Sequence, residues 1–231
     1  MNAALPRTIT MTLPRTITMT LPGSGTQASL VLPQGRAQGL IVFAHGAGAR
    51  VVPHNLHIAA ALQQAGFATL LFALLTEAEA ANRSNAFNIP LLAQQLDEAA
   101  TSGHLAAANL QLPLGFFGDG AGAAAALAAA SVRADVAAVV SCGGRADLAG
   151  AALTAVAAAT LLIAGSGDPA MLALNQEAYQ MLRCERRLDI ISGATHLFEE
   201  PGVLDAVVSL AKEWFLTHLA MPAAEMECNV C

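Results

Sequence analysis

Two patterns of apolar and polar residues alternate along this chain: short continuous apolar runs, and longer stretches with helical spacing. Their alternation predicts strands that alternate with helices. Continuous apolar runs such as LIVF, ATLLF and TLLIA are typical of strands that helices cover on both faces. On this basis we predict strands at residues 28–32, 39–44, 68–73, 112–117, 136–141, 160–164 and 187–191. Between them, longer periods predict helices at residues 54–64, 90–100, 121–130, 171–182 and 204–219.

A tandem repeat occupies the N-terminal end, where LPRTITMT occurs at residues 5–12 and again at 13–20. Its threonines alternate with isoleucine and methionine, the period of a half-buried strand. One copy is enough for one strand, at an antiparallel edge. The other copy offers an alternative register for the same pairing.

The alternation of strands and helices predicts an α/β protein. We expect a mostly parallel central sheet of about eight strands, with helices on both faces and an antiparallel N-terminal edge. No linker divides the chain. The predicted organisation is a repeated strand or leader at residues 1–22, a single domain at 23–220 and a disordered tail at 221–231.

Composition narrows the classes of partner. The chain has 231 residues, a formal net charge of -6 and a single lysine, Lys212. Nucleic-acid binding needs clustered basic residues, so we expect no nucleic-acid partner. The uncharged run at residues 148–167 is mostly alanine and glycine and is expected to form a helix and a strand, not a membrane span. No signal-peptide pattern opens the chain and the cysteines form no disulfide framework, so we expect a cytoplasmic protein.

Candidate chemistry lies directly after the predicted strands, because functional groups of open α/β sheets collect at the carboxyl ends of the strands. A glycine turn, GDGAG at residues 118–122, comes first, an acid follows a later strand, and a histidine follows the last strand. This chain order of elbow, acid and histidine is that of the α/β hydrolases. The residues at these strand ends are His45, Gly46, Ala47, Asp119, Gly120, Ala121, Cys142, Arg145, Asp168 and His196.

From about residue 39 to 219 the chain resembles an α/β hydrolase of the dienelactone-hydrolase-like group. The resemblance rests on GLIVFAHGAGA, GFATLLFALLT, LPLGFFGDGAGAAAAL, VVSCGGRADLAG, TLLIAGSGD and ISGATHLFEEPG together. It implies an ester-bond hydrolase with Asp168 as triad acid and His196 as general base. It also implies an oxyanion hole made by the backbone N–H groups of Ala121 and Ala47.

The chain departs from this family at the nucleophile. The usual frame is Gly-x-Ser-x-Gly, and Gly118 and Gly122 fit its first and last positions. The nucleophile position then falls on Gly120, which has no side chain, and hydrolysis is expected to be weak or lost. An alternative frame makes Asp119 the nucleophile, but it places the bulky Phe117 in the tight turn.

Two further functions stay open. Gly118-x-Gly120-x-x-Ala123 fits a dinucleotide-binding fingerprint, although no acid follows the next strand to hold a ribose. The chain is also compatible with a binding or scaffold protein on a hydrolase fold without catalysis.

The remaining residues are expected to line the pocket of a small-molecule substrate. They are His45 and Gly46 after one strand, and Cys142 and Arg145 after another. Cys142 lies off the elbow and is interpreted as a buried structural thiol. Arg145 fits either a substrate carboxylate or an ion pair with Asp147. We expect no cofactor and no metal site, and the pattern does not predict an oligomeric state.

Overall fold

The structure is a computed structural model that describes residues 14–45, 53–107 and 112–219. Within these residues, eight strands form one sheet. The strands are β1 (Arg15–Thr20), β2 (Gln27–Leu32), β3 (Leu40–Ala44), β4 (Ala68–Phe72), β5 (Leu114–Asp119), β6 (Val136–Cys142), β7 (Ala159–Gly165) and β8 (Arg186–Ile191). The helices are α1 (Pro53–Gln64), α2 (Glu77–Ala80), α3 (Ile89–Ala106), α4 (Gly120–Ala130), α5 (Pro169–Met181) and α6 (Val203–His218), with 3₁₀ segments at Arg83–Phe87 and Ala146–Ala155.

The strand order is β1-β2-β4-β3-β5-β6-β7-β8. Strand β2 pairs antiparallel with both β1 and β4, and all the other pairs are parallel. The predicted fold class, including its antiparallel N-terminal edge, is therefore confirmed. The second copy of the repeat forms β1, while the first copy and residues 220–231 lie outside the described part of the chain. The domain boundaries stay predictions.

Both faces of the sheet are covered, as the apolar runs predicted. In β3, Leu40 and Val42 belong to one core cluster, while Ile41 and Phe43 belong to the other. The first cluster includes buried residues of α3, α4 and α5, and the second includes those of α1 and α6. Successive side chains of a strand point to opposite faces, so a strand between two helical layers must be apolar throughout.

Helix α4 is the element that most directly shapes the carboxyl edge of the sheet. Its sequence is GAGAAAALAAA, and nearly all of it is buried. Small side chains let a helix approach its neighbours closely, because the interaxial distance depends on the side chains at the contact. The first residue of α4 directly follows the last residue of β5, so the packing of the helix also fixes the turn between them.

Candidate active site

The turn between β5 and α4 has the sharp geometry of a nucleophile elbow. Asp119 ends the strand with an extended backbone, at φ -124° and ψ 162°. Gly120 follows at φ 51°, in the left-handed region that residues with a Cβ rarely adopt. In α/β hydrolases the nucleophile lies on such a strained strand-to-helix turn. Gly120 therefore occupies the apex, one residue beyond Asp119.

Two glycines that frame this turn are required by packing. A Cβ on Gly118 would lie 2.6 Å from the carbonyl oxygen of Gly122 and 2.7 Å from the Cα of Ala123. A Cβ on Gly122 would overlap the carbonyl oxygen of Ala44, at the end of β3. Packing therefore accounts for the spacing of these glycines. The spacing no longer requires a bound pyrophosphate, and this removes support from the dinucleotide-binding interpretation.

His196 and Asp168 form a hydrogen-bonded pair at the same edge of the sheet. The distance from His196 Nδ1 to Asp168 Oδ2 is 2.7 Å. Asp168 follows β7 and caps α5, where its Oδ1 accepts a hydrogen bond from the N–H of Met171. This backbone hydrogen bond is the largest cause that lowers the pKa of Asp168, and the bond to His196 adds to it. Both contacts favour the ionised carboxylate, whose Oδ2 lies beside His196 Nδ1.

The loops that carry this pair are tied together by their backbones. Gly167 N–H donates to the carbonyl of Ala194 at 2.7 Å, and Gly193 N–H donates to the hydroxyl of Ser166 at 2.8 Å. These hydrogen bonds fix the loop after β7 against the loop after β8, and so keep Asp168 close to His196.

A short segment after β6 links the elbow to the histidine loop. Arg145 N–H donates to the carbonyl of Gly120 at 2.8 Å. A Cβ on Gly144 would lie 2.7 Å from that same oxygen, and a Cβ on Gly143 would overlap the carbonyl oxygen of His196. Gly143 and Gly144 are thus packed between Gly120 and the backbone of His196, and the turn and the pair lie at one site.

Asn175 holds this linking segment from behind, and sequence reasoning missed it. The side chain is fully buried on α5, and its Nδ2 donates to the carbonyl of Gly144 at 3.1 Å. A polar residue on the inner face of a helix is the only sequence signal that could have found it.

Asp119 is held by two residues of α1 that sequence reasoning also missed. Its Oδ2 lies 3.2 Å from His54 Nε2 and accepts a hydrogen bond of 2.7 Å from Asn55 Nδ2. The hydrogen bond to Asp119 is the largest cause that raises the pKa of His54, and the charges of Asp119 and Glu199 add to it. Glu199 follows His196 by three residues, so α1, the elbow and the histidine loop converge here.

The predicted pocket residues have different environments. His45 directly follows β3 and is buried, neither ring nitrogen has a hydrogen-bond partner within the described part of the chain, and burial lowers its pKa. Ala121, the predicted oxyanion donor, lies in the first turn of α4, where backbone N–H groups lack intrahelical partners. Gly46 and Ala47 lie outside the described residues.

Arg145 makes a bidentate ion pair with Asp147. Its Nε lies 2.8 Å from Asp147 Oδ1, and its Nη2 lies 2.7 Å from Oδ2. Of the two interpretations left open by the sequence, this arrangement matches the ion pair.

Cys142 is buried at the end of β6, paired in register with Asp119. Burial, with a contribution from the charge of Asp119, raises the pKa of its thiol well above the usual range. Because the thiolate is the reactive form, we expect iodoacetamide to modify Cys142 at least roughly 10-fold more slowly than the half-buried Cys184 in the native protein. Peptide mass spectrometry over a time course measures both rates. Equal rates would show that the environment of Cys142 opens readily or that its thiol is activated.

No group of three or more His, Cys, Asp or Glu side chains in the described ranges could hold a metal ion. In the same part of the chain, no helix is both long and apolar enough to cross a membrane.

The strand order, the turn after β5 and the loops after β7 and β8 define the class of α/β hydrolases. Comparison with solved structures agrees. A dienelactone hydrolase from Anabaena variabilis is 42% identical, with a TM-score of 0.82 over 90% of this chain and 98% of that one. Carboxyl esterase 2 from Tuber melanosporum shares the fold, with a TM-score of 0.70 over 90% of this chain and 87% of that one at 14% identity. The chain belongs to the dienelactone-hydrolase group of α/β hydrolases.

Among curated proteins, the chain is similar to one from each of two strains of Mycobacterium tuberculosis, provisionally named a phosphoribosyl transferase. Identity is 49% over 197 residues, which is 84% of this chain. The chain spans 44% of the length of these relatives. No family model matches it.

Proposed function

We propose that this chain binds a small ester or lactone at the carboxyl edge of its sheet and hydrolyses it slowly, without a covalent intermediate. The observation that carries the proposal is the combination at the site: Gly120 at the apex of the elbow, and the His196–Asp168 pair intact at 2.7 Å. The position that attacks the substrate in the family has lost its side chain, while the base and its orienting acid are retained.

The expected chemistry uses water in place of the nucleophile. His196 takes a proton from a water that attacks the carbonyl carbon, and Asp168 keeps the imidazole in the right tautomer and stabilises the imidazolium. The N–H of Ala121, with that of Ala47, is proposed to stabilise the developing oxyanion. Without a triad nucleophile, serine hydrolases keep about 10³- to 10⁴-fold catalysis over water, which sets the scale expected here.

Asp119 is poorly placed to act as the nucleophile. Its backbone is extended, at φ -124°, and one carboxylate oxygen accepts a hydrogen bond from Asn55 and lies 3.2 Å from His54 Nε2. A nucleophilic carboxylate must instead point an oxygen at the substrate carbon.

The transferase name of the mycobacterial relatives does not carry over to this site. The matched segment is 44% of those proteins, and the chain also covers 98% of a dienelactone hydrolase. This supports assigning the phosphoribosyl transferase name to the part of the relatives outside the match.

A binding protein without turnover is the second candidate. The absence of a side chain at Gly120 is as consistent with this function as with slow hydrolysis. A p-nitrophenyl acetate assay separates the two. We expect slow turnover above buffer, with kcat/KM below the ~10⁴ M⁻¹ s⁻¹ at the low end of ordinary enzymes. We expect His196→Ala to lower kcat/KM roughly 100-fold, the scale of general base catalysis.

The matched control is His57→Ala, which removes an exposed imidazole 3.8 Å from Asp205 and should leave the rate unchanged. Turnover at the level of an ordinary esterase would show that another nucleophile works. A wild-type rate equal to buffer would leave the binding protein as the function.

A further inference from the structure

His54 lies at the start of α1 among charged groups of three other segments. Its Nε2 lies 3.2 Å from Asp119 Oδ2, on the residue directly before the apex. The charge of Glu199 reaches it from the histidine loop, and His45 lies near the same carboxylate, at the end of β3. The ring thus lies beside the residue that precedes the apex of the elbow, within reach of the charge of Glu199 in the histidine loop.

We propose that His54 is a second proton-transfer residue of this site, the general acid for the leaving group, with Asp119 as its positioning residue. The inference rests on the proposed function. Its structural basis is the fixed geometry of His54 and Asp119. The side chain of Asp119 is only 15% exposed, and the fully buried Asn55 donates to the same carboxylate oxygen.

The neighbouring histidine of α1 provides a contrast. His57 lies 3.8 Å from Asp205, with side chains 55% and 84% exposed. Exposed pairs of this kind contribute little and hold no fixed geometry. His54 is itself 39% exposed, so it keeps a path to solvent for reprotonation, while Asp119 and Asn55 constrain its position.

The step balances without a cofactor. Water attacks the carbonyl carbon and gives one proton to His196, and a tetrahedral oxyanion forms. The bond from that carbon to the alkoxy oxygen then breaks, and its electron pair stays on the alkoxy oxygen. The proton on His54 Nδ1, the ring nitrogen that does not face Asp119, goes to that oxygen. The products are an acid and an alcohol. His196 releases its proton to solvent and His54 takes one back.

The charges around His54 favour the protonated form that an acid requires. Asp119 and Glu199 both raise its pKa, against the opposing effect of burial, and His45 is close enough for its own pKa to respond to His54. Burial lowers the pKa of His45, which favours its neutral form.

Leaving-group dependence tests the acid role. p-Nitrophenolate departs without a proton, while trifluoroethoxide is a poorer leaving group and needs one. His54→Gln keeps an N–H donor for Asp119 but cannot transfer a proton. We expect it to slow hydrolysis of trifluoroethyl acetate at least ~10-fold and that of p-nitrophenyl acetate less than ~2-fold. His57→Gln, on the same helix, should change neither rate.

An NMR titration of the His54 ring tests the pair independently of turnover. We expect Asp119→Asn to lower the pKa of His54, because the carboxylate that stabilises the imidazolium is lost, while Glu199 stays. An unchanged pKa overturns the positioning role of Asp119. Equal slowing of both esters by His54→Gln, or of neither, overturns the acid role of His54. If the wild-type protein hydrolyses neither ester, the proposed function fails and the acid role fails with it, whatever the titration shows.

Discussion

Gly120→Ser should hydrolyse p-nitrophenyl acetate at least about 100-fold faster than the wild-type protein. The substitution restores a hydroxyl at the apex of the elbow, where the proposed base His196 is already hydrogen-bonded to Asp168 at 2.7 Å. Loss of the serine of a complete triad costs several orders of magnitude in kcat, so its return should recover part of that factor. A burst of p-nitrophenol in pre-steady-state kinetics would report the acyl-enzyme that a covalent route requires.

The control for this gain is Gly120→Ala, which adds a Cβ without a hydroxyl and should gain nothing. The double variant Gly120→Ser/His196→Ala should lose the gain. Both single variants are expected to be destabilised by roughly 1–2 kcal/mol, since φ at this position is 51° and a Cβ is strained there. A folded Gly120→Ser with no gain would contradict the assignment of position 120 as the nucleophile position of the elbow.

Gly122→Ala should destabilise the protein by about 3 kcal/mol or more. The added Cβ would overlap the carbonyl oxygen of Ala44, so either α4 or β3 must move. Backbone in the middle of a sheet cannot yield as a side chain does, and the close packing of interiors leaves no spare volume. Thermal unfolding followed by circular dichroism should show a fall in Tm of roughly 6–12 °C, at ~2–4 °C per kcal/mol for a chain of this size.

Gly103→Ala is the matched control, because it adds the same methyl group to another helix. Its Cβ would lie 3.0 Å from Leu70 Cδ2 and 3.1 Å from Leu40 Cδ2, the ends of side chains that can shift. We expect its stability to stay within about 1 kcal/mol of wild type, since the helix gains propensity from alanine. Equal losses of stability in the two variants would contradict the close packing of α4 against β3.

The strands and helices of this chain were predictable because their patterns are local. LIVFA in β3 is apolar at every position, and a strand of that kind requires a helical layer on each of its faces. The alternating threonines of β1 predicted a half-buried edge strand in the same way, and its partly buried Ile17 and Met19 pack on the core. Helix α3 was predicted at residues 90–100; Asn88 caps it and it begins at Ile89, but it continues to Ala106, six residues beyond the predicted end.

The candidate site was predictable where residue type, order and strand ends coincide. Asp168 and His196 follow the last two strands, and the structure places them 2.7 Å apart. His54, Asn55 and Asn175 were not predictable, because each meets its partner across a large separation in sequence, such as the 65 positions from His54 to Asp119. A local pattern carries no information on such contacts.

The sequence by itself determined the α/β architecture, the glycine at the centre of the GDGAG turn and the acid and histidine after the last strands, since periodicity and residue identity are properties of the chain alone. Only the tertiary structure decided that Gly120 rather than Asp119 lies at the apex, that Arg145 pairs with Asp147, and that His54 accompanies Asp119. These depend on backbone angles and on the packing of α1, α4 and the strand ends against one another, and those distances exist only once the sheet and its helices have assembled.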